Sequence, residues 1–362
     1  MSEPVSGVRK IAVLRPNAVG DFVFALPALH ALKYRYPEAE IVLLGKAWHA
    51  AFLRARPGPV DRVAVLPAVP GVGAPLDADF DDHAIGCFID AMRGERFDIA
   101  LQMFGAGHSS NPFLMRLGAR LTVGARADNA LAPDRWLPYC EPNNRRLALL
   151  QIAGLVDAWP GPLPSPELAV TNADRAEAAA AVACIADERL AVLQPGATDP
   201  RRRWPAQRFA ALGDRLAEQG MRVAVNGSAG EAALVDAVVG GMRHPAIALA
   251  GTLSLGGLCG LLERASLVVS NDTGPLHLAL ALGVPSVGIF WLTNLIEGMP
   301  LRQSCLRVAL SLQTRCPVCG QENIATRCPH DESFVADVGL EQVEQLALSL
   351  LLRPPPQQRA YQ

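Results

Sequence analysis

The stretch LVVSNDTGPLHLALALGVPSVGIF, from Leu267 to Phe290, predicts a complete strand–helix–strand unit. It opens on a short apolar run that is typical of a buried strand, and Pro275 suits the first turn of the helix that follows. A second apolar run, which ends at Phe290, returns the chain to the sheet. Ligands of open parallel sheets bind beyond the carboxyl ends of the strands. The residues between Ser270 and the helix are therefore the first place to look for a site.

Four polar or small residues crowd this junction: Asp272, Thr273, Gly274 and His277. Asp and Thr are favoured helix caps, and glycine lets a ligand approach the backbone closely. The unpaired N–H groups of a first helical turn attract anions. The simpler alternative is an ordinary capped helix with a surface histidine. Because all four residues follow directly on an apolar strand, we expect an anion-binding site.

Two earlier strand ends carry residues that suit a nucleotide. In LQPGATDPRRRWPAQRF, a strand ends near Gly196 and the loop behind it carries three arginines. Arginine donates paired hydrogen bonds to phosphate, so this run is a candidate phosphate contact. In VNGSAGEAAL, Glu231 follows a glycine-rich turn, where its carboxylate can accept both ribose hydroxyls of a nucleotide or merely cap its helix. This half of the chain is therefore predicted to be the nucleotide-binding half.

Predicted strands and helices alternate on both sides of a proline-rich segment, Asp157–Leu168. Before it, strands are predicted at IAVL, EIVLLG, VDRVAVLP and FDIALQMFG. Such alternation favours parallel sheets covered by helices, and a proline-rich segment is typical of an interdomain linker. We expect an α/β protein with two doubly wound, Rossmann-like domains, residues 1–160 and 169–345, facing a central cleft. A C-terminal helix end and tail are predicted at 346–362.

The first predicted strand leads into RPNAVGDF, where a dinucleotide-binding domain would carry a G-x-G-x-x-G loop. Here Gly20 is followed directly by a carboxylate, Asp21. A carboxylate competes with phosphate for the N–H groups at a helix start, so this loop is not expected to bind phosphate. Asp21 is then either a helix cap or a functional group that serves another substrate.

The composition of the chain argues against several classes of function. The chain has 362 residues, of which 50% are hydrophobic and 19% charged, with a formal net charge of −2. This charge supplies no general basic field, so nucleic acid is not an expected partner. The N-terminal MSEPVSGVRK lacks the apolar stretch of a secretory signal, and no apolar run is long enough for a spanning helix. We expect a cytoplasmic protein with mostly free thiols.

These motifs, in this order, resemble the family 9 glycosyltransferases, the lipopolysaccharide heptosyltransferases. The likeness covers about Lys10 to Leu350, and its most specific part is ASLVVSNDTGPLHLALALGVPSVGIF. It implies the GT-B fold, an ADP-heptose donor, and inverting transfer without a catalytic metal or other cofactor. It also implies an acceptor in the lipopolysaccharide core or its lipid A precursor, and therefore peripheral contact with the inner face of the cytoplasmic membrane.

The resemblance also implies roles for individual residues. Asp21 corresponds to the family's proposed catalytic base. The donor-binding residues would be Gly196, Arg202, Glu231, Asp272, Thr273, Gly274 and His277. Arg202 stands where the family often carries a lysine before Trp-Pro. Arginine keeps the charge but adds a planar fork, so the identity of the donor is left open.

Other functions are compatible with the same motifs. One is a family 9 transferase that uses another nucleotide sugar for a different polysaccharide or for protein. Another is a nucleotide-sugar-binding protein without transfer activity, but such a protein would need no base at Asp21. Epimerases that share the fold are a further alternative, and they would turn over a donor with no acceptor present.

Acceptor selection is expected to depend on first-domain loops, Gly105–Pro112 and Gly71–Asp82. The candidate side chains on the acceptor side are Gln102, His108 and Asn111. The apolar Trp48–Phe52 segment is a candidate for docking at the membrane.

The segment RCPVCGQENIATRCPH holds Cys316, Cys319, Cys328 and His330. A C-x2-C pair with a further Cys and His has the residue types of a tetrahedral zinc or iron site. The spacing is shorter than in a typical zinc finger, and C-x-H is tight for two ligands on one ion. The sequence leaves a bound metal open and favours its absence.

Overall fold

The computed structural model describes residues 5–161, 163–183 and 188–352. The chain divides into two compact units, Met1–Ala169 and Val170–Gln362, which are called the first and second domains here. The division falls just behind the proline-rich segment. The outermost part of the predicted tail, residues 353–362, lies outside the described residues.

The first domain is built on a six-stranded parallel sheet. The strands of the whole domain, including two outside this sheet, are β1 (Lys10–Leu14), β2 (Glu40–Gly45), β3 (Arg62–Val65), β4 (Val69–Pro70), β5 (Gly73–Ala74), β6 (Ile99–Gln102), β7 (Leu121–Arg126) and β8 (Arg135–Pro138). Its helices are α1 (Val19–Arg35), α2 (Ala47–Leu53), α3 (Asp82–Gly94), α4 (Ser110–Met115) and α5 (Arg145–Gly154). The sheet order is β3-β2-β1-β6-β7-β8, and the short β4 and β5 pair with each other.

The second domain repeats this plan with another six-stranded parallel sheet. Its strands are β9 (Leu190–Gln194), β10 (Arg222–Gly227), β11 (Ala246–Ala250), β12 (Leu267–Asn271), β13 (Ser286–Trp291) and β14 (Leu306–Ser311). Its helices are α6 (Asn172–Ala181), α7 (Ala206–Glu218), α8 (Ala232–Gly241), α9 (Leu255–Arg264), α10 (Gly274–Ala281), α11 (Leu292–Gly298) and α12 (Leu340–Leu351). The sheet order is β11-β10-β9-β12-β13-β14.

Both sheets are doubly wound, as the sequence predicted. In each, three strands progress outward on one side of the sheet, and the chain then crosses back and continues on the other side. The order reverses between β1 and β6 in the first domain and between β9 and β12 in the second. Open α/β sheets form their ligand-binding crevice at such a reversal, beyond the carboxyl ends of the strands.

The strands form where the sequence has continuous apolar runs. Every residue of β9 and of β12 is buried, as expected for parallel strands that are covered on both faces. The register aligns their apolar side chains: Val192 of β9 lies opposite Ala224 of β10 on one side and Val268 of β12 on the other. This central part of the sheet is therefore a firm base for the loops at its carboxyl edge.

Trp204 anchors one of those loops in the core of the second domain. Its side chain is 1% exposed and packs edge-to-face on Phe209 with ring centroids 5.0 Å apart. The indole N–H donates to the main-chain oxygen of Val338 at 2.9 Å, which satisfies its polar group. Because Trp204 directly follows the arginine run, its burial positions that run relative to the sheet.

None of the helices in the described ranges combines the length and the apolar character that a crossing of the bilayer requires.

Candidate active site

Three neighbouring strands of the second sheet end in the predicted donor residues. Glu231 follows β10, Gly196 and Arg202 follow β9, and Asp272 follows β12. In the sheet these strands are adjacent, in the order β10-β9-β12, and parallel strands end at the same edge. This edge includes the point at which the strand order reverses. Residues that are far apart in the sequence are thus collected at the carboxyl edge of one sheet.

Asp272 links two of the predicted residues through its carboxylate. His277 Nε2 lies 2.9 Å from Asp272 Oδ1, and Arg202 Nη1 donates to Asp272 Oδ2 at 3.4 Å. The side chains of Asp272 and His277 are 7% and 4% exposed, whereas that of Arg202 is 25% exposed. A buried carboxylate needs such partners because its desolvation is costly. The alternative of a surface histidine is therefore wrong, and Arg202 is held with part of its guanidinium open to solvent.

The first turn of α10 borders this cluster. Thr273 is its N-cap residue and makes no side-chain capping hydrogen bond, while Pro275 lies in the first turn. Thr273, Gly274 and Pro275 are all half-buried. A helix start of this kind presents main-chain N–H groups and the positive end of the helix dipole. The site therefore combines an anion-attracting turn with the neighbouring cation of Arg202.

The three arginines of the run have different surroundings. Arg201 is buried and donates to Asp199 at 2.7 Å. Burial pushes the pKa of Asp199 upward, but the hydrogen bonds and charge of Arg201 outweigh this effect and hold that pKa below its usual value. Arg203 donates to a main-chain oxygen of the same loop at 2.9 Å. Of the three, Arg202 is the one that contacts Asp272.

Gly196 and Glu231 lie against each other. A Cβ on Gly196 would be 2.0 Å from Glu231 Oε1, so only glycine leaves room for this carboxylate. Glu231 Oε2 accepts from Ser228 N at 2.8 Å and from Ser228 Oγ at 2.9 Å, which forms a capping box. The capping role is thus present, and a ribose contact stays a prediction.

Asn271, which the sequence analysis did not single out, joins the loops behind β9 and β12. It is fully buried at the end of β12. Its Oδ1 accepts from Trp204 N at 3.0 Å, and its Nδ2 donates to Pro195 O at 2.7 Å. The sequence did carry a signal for the role of Asn271, because this residue ends an apolar strand. A buried side-chain amide in such a place must find hydrogen-bond partners.

Asp21 lies at the carboxyl edge of the first sheet, in the first turn of α1. The N-cap residue of α1 is Ala18, so the alternative interpretation of Asp21 as the helix N-cap is wrong. Arg15, which directly follows β1, donates to Asp21 Oδ1 at 3.1 Å and to the main-chain oxygen of Asp21 at 3.0 Å. The Arg15 side chain is 5% exposed and that of Asp21 is 28% exposed.

Arg15 also donates to the main-chain oxygen of Met103, behind β6, at 2.5 Å. Burial lowers the pKa of Arg15 to about 10, although the charge of Asp21 opposes the effect. The guanidinium is therefore still cationic at neutral pH. It bridges the ends of β1 and β6 at the reversal point of the first sheet, and the sequence analysis overlooked it.

A cavity of about 220 Å³ opens beside Arg15. Its lining comes from residues behind β6 and β8 and from α5, and includes Gly105, Tyr139, Glu141, Asn143, Arg145 and Gln151. It is bounded by apolar as well as charged and amide groups. It lies wholly within the first domain, at the end of the sheet that carries Asp21.

The three predicted acceptor-side residues occupy different environments. Gln102 is 0% exposed and donates to Gly105 O at 3.1 Å and to Ser110 Oγ at 2.7 Å. Asn111 is also 0% exposed, and its Nδ2 donates to main-chain oxygens, whereas His108 is exposed. Gln102 and Asn111 thus shape the loop behind β6, and a direct acceptor contact by any of the three stays a prediction.

The Trp48–Phe52 segment lies in α2 and does not present an open apolar surface. Phe52 and His49 are buried, and the half-buried Trp48 stacks on His49 with ring centroids 3.7 Å apart. Burial lowers the pKa of His49 to about 4. The burial of these rings argues against this segment as a membrane-docking surface.

The cysteine-rich segment is more compact than its spacing suggested. The sulfur atoms of Cys316, Cys319 and Cys328 and a ring nitrogen of His330 all lie within 4.8 Å of one another. The tight C-x-H spacing therefore does not keep the ligand atoms of Cys328 and His330 apart, because the loop folds both side chains toward the same point.

Comparisons with known proteins agree with this architecture. The model of "Glycosyltransferase family 9 (heptosyltransferase)" matches residues 85–324. Lipopolysaccharide heptosyltransferase 2 of Salmonella typhimurium is 28% identical over 297 residues, 78% of this chain and 82% of that protein. Lipooligosaccharide heptosyltransferase 2 of Haemophilus ducreyi is 26% identical over 320 residues, 83% of this chain and 88% of that protein.

Solved structures share the fold over almost the whole chain. The family 9 glycosyl transferase from Veillonella parvula superposes with a TM-score of 0.76 at 18% identity, and covers 97% of this chain and 99% of its own. The ADP-heptose lipopolysaccharide heptosyltransferase II of Escherichia coli gives 0.73 at 21% identity, and covers 95% and 98%. With two doubly wound sheets and a family match over most of its length, the chain belongs to glycosyltransferase family 9, the heptosyltransferase family, and is a glycosyltransferase of the GT-B fold.

Proposed function

We propose that this glycosyltransferase transfers a heptose from ADP-heptose to the core of lipopolysaccharide, with inversion at the anomeric carbon and without a catalytic metal. Family membership and the names of the relatives, lipopolysaccharide and lipooligosaccharide heptosyltransferases, support the substrate class. The single observation that carries the assignment is the Arg202–Asp272–His277 cluster beside the start of α10, at the carboxyl edge of the second sheet.

The donor diphosphate is proposed to bind at that cluster. Arg202 offers a partly open guanidinium, and the half-buried turn Thr273–Gly274 offers N–H groups and a hydroxyl. Asp272 orients Arg202, and His277 in turn holds Asp272. As the bond between the sugar and the diphosphate breaks, negative charge grows on the leaving oxygen. Preorganised donors stabilise that charge without reorganising at the moment of reaction.

The nucleoside is proposed to bind at the neighbouring strand ends. Gly196 leaves the approach to the sheet open, and the half-buried carboxylate of Glu231 is a suitable acceptor for the two ribose hydroxyls. Glu231 Oε1 lies over Gly196, while Oε2 holds the capping box.

Asp21 is proposed as the general base. It removes the proton of the acceptor hydroxyl, whose oxygen attacks the anomeric carbon while the bond to the diphosphate breaks. Arg15 contacts one oxygen of the carboxylate and orients the side chain. A positioned base contributes about 10²–10⁴ in rate. The cavity beside Arg15, with its mixed charged and amide lining, is the proposed place for part of the acceptor, which would be met at the inner face of the cytoplasmic membrane.

The test of the donor is the thermal stabilisation of the protein by ADP, UDP and GDP at matched concentrations. A ligand at about 100 times its Kd adds about 2.7 kcal/mol of stability, which raises the melting temperature of a domain of this size by about 5–10 °C. A shift with ADP alone supports the ADP-heptose donor. A shift with UDP or GDP in place of ADP would discard heptose and retain a family 9 transferase with another donor.

The test of transfer uses a lipopolysaccharide core acceptor with ADP-heptose. Release of ADP that depends on the acceptor, together with a heptose-mass increase on the acceptor, is the expected result. Conversion of the donor with no acceptor present would instead indicate an epimerase-like activity. Binding without turnover on any core acceptor would favour a nucleotide-sugar-binding protein.

A further inference from the structure

The cysteine-rich loop, Arg315–His330, follows β14 and has no part in the proposed transfer reaction. Its three sulfur atoms and one imidazole nitrogen all lie within 4.8 Å of one another. In a tetrahedral zinc site with Zn–S bonds of about 2.3 Å, neighbouring sulfur atoms are about 3.8 Å apart. The group in this loop is therefore wider than a filled site by at most about 1 Å, which small side-chain rotations remove.

The backbone of the loop is shaped around the C-x2-C pair. Cys316 O accepts from Gly320 N at 2.9 Å, and Gly320 has φ +72°, a conformation that favours glycine. Val318 N donates to Cys316 Sγ at 3.4 Å. An N–H donor directed at sulfur stabilises negative charge there, and the thiolate is the form that binds metals.

The group combines free thiols with one ring nitrogen that has no hydrogen-bond partner among the described residues. The three cysteines are free thiols, with Cys316 and Cys328 buried. His330 Nδ1 is a buried nitrogen without a hydrogen-bond partner in the described part of the chain. An unpartnered buried polar atom is costly and needs an explanation. A metal ion at the centre of the group would supply it.

We propose that Cys316, Cys319, Cys328 and His330 bind one thiophilic metal ion, zinc or iron, in a tetrahedral structural site. Four protein ligands fill a tetrahedral shell and leave no open position for a substrate or a water nucleophile. A metal held in this way supplies neither a Lewis acid nor a nucleophile for sugar transfer.

The cysteine-rich loop also makes hydrogen bonds to the turn that carries Arg202. Asn323 Oδ1 accepts from Cys328 N at 3.2 Å and from Arg201 Nη1 at 3.2 Å, while its Nδ2 donates to Cys328 Sγ at 3.4 Å. One side chain thus connects the metal-binding group with Arg201.

Two further hydrogen bonds join residues directly after the loop to the same arginine-carrying turn. Phe334 N donates to Arg201 O at 2.7 Å, and Ser333 Oγ donates to Arg203 O at 2.6 Å. Both neighbours of Arg202 are therefore held by the segment that the metal would order. The inferred positioning of Arg202 rests on the proposed donor site, whereas the metal site itself does not.

Metal content of the full chain, purified without chelators, tests the site. We expect about one equivalent of zinc or iron, and the identity of the metal decides between the two. Adding Co²⁺ to reduced, metal-stripped protein should give the thiolate charge-transfer and visible bands of a tetrahedral site. Cys328→Ser should reduce the thiolate charge-transfer band and weaken cobalt binding. His330→Ala, which leaves the cysteines in place, should shift the visible bands and weaken cobalt binding. Cys87→Ser changes an exposed cysteine outside the group and should keep the metal.

Two results would refute the proposal of a metal site. One is substoichiometric metal together with no cobalt–thiolate bands. The other is a disulfide between two of the three cysteines in protein kept under reducing conditions.

The positioning effect is tested with ADP titrations of metal-loaded and metal-stripped protein. Removing the metal should raise the Kd for ADP by no more than Arg202→Ala does. In the Arg202→Ala variant, removing the metal should change this Kd little further. Equal ADP affinity with and without metal would refute the positioning. If ADP fails to bind even the loaded protein, the proposed donor site is wrong while the metal stoichiometry still stands.

Discussion

Replacing Gly196 by alanine is a sharp test of the nucleotide end of the site. The added Cβ would lie 2.0 Å from Glu231 Oε1 and 2.4 Å from Glu231 Cδ, far inside contact distance. The φ angle of Gly196 is outside the left-handed region, so the backbone itself accepts alanine. The clash falls on the far end of a flexible side chain. We therefore expect the carboxylate of Glu231 to swing away while the domain stays folded.

The structure lets us estimate two effects of Gly196→Ala, a loss of folding stability and a loss of ADP affinity. Displacing Glu231 breaks its bonds to Ser228 N at 2.8 Å and Ser228 Oγ at 2.9 Å. Losing a cap costs about 0.5–2 kcal/mol, which lowers the melting temperature by about 1–8 °C. A hydrogen bond to a charged group contributes about 1.5–3 kcal/mol, so the loss of a ribose contact should raise the Kd for ADP about 10- to 150-fold.

Calorimetric titration of ADP into four proteins separates the effects: the wild type, Gly196→Ala, Glu231→Ala and the double variant. The double variant should bind no more weakly than Glu231→Ala alone, because the new Cβ has room once the carboxylate is gone. Glu231→Ala should also lose the preference for ADP over 2′-deoxy-ADP. Unchanged ADP affinity in Gly196→Ala would refute the ribose contact and leave Glu231 with its capping role.

Other parts of the molecule give further expectations. Asp21→Asn should lower turnover by about 10²–10⁴ and leave the Kd for ADP unchanged, because the base acts only in the chemical step. An unchanged rate in a single-turnover assay would refute the assignment of Asp21 as the base. Arg202→Ala should weaken ADP about 10- to 150-fold in equilibrium dialysis, and unchanged affinity would move the phosphate contact elsewhere. Burial lowers the pKa of His49 from 6.5 to about 4. Between these values the unfolded chain binds a proton that the folded chain does not, so this group lowers the free energy of unfolding by about 1.4 kcal/mol per unit as pH falls through that window. Urea denaturation should show a shallower pH dependence for His49→Gln than for the wild type, with the exposed His108→Gln as control; equal slopes for His49→Gln and the wild type would contradict the burial argument.

The elements that the sequence predicted well are those whose signal is local. β9 and β12 are continuous apolar runs, and both are buried throughout. The edge strand β8 was missed, because its residues alternate between half-buried and exposed and its sequence, RWLP, has no buried run. An edge strand is recognised by its pairing with β7, and that pairing is not visible in four residues.

The same contrast holds in the site. The position of Asp272, Thr273 and Gly274 behind an apolar strand is a local pattern, and the structure places them at the carboxyl edge of the sheet. The roles of Arg15 and Asn271 were not apparent, because each depends on chain segments that the fold brings near. Arg15 contacts Met103 across 88 positions, and Asn271 contacts Pro195 across 76.

By itself the sequence determined the doubly wound class, the two-part organisation and the strand ends at which to look, since apolar runs, caps and proline act over a few residues. Tertiary structure alone decided which side chains meet. Arg202 reaches Asp272 across 70 positions. The ligand atoms of Cys328 and His330 come together with those of Cys316 and Cys319 although the C-x-H spacing is tight. The energy of such pairs depends on separation and on burial, and both are created only when the strands pack side by side.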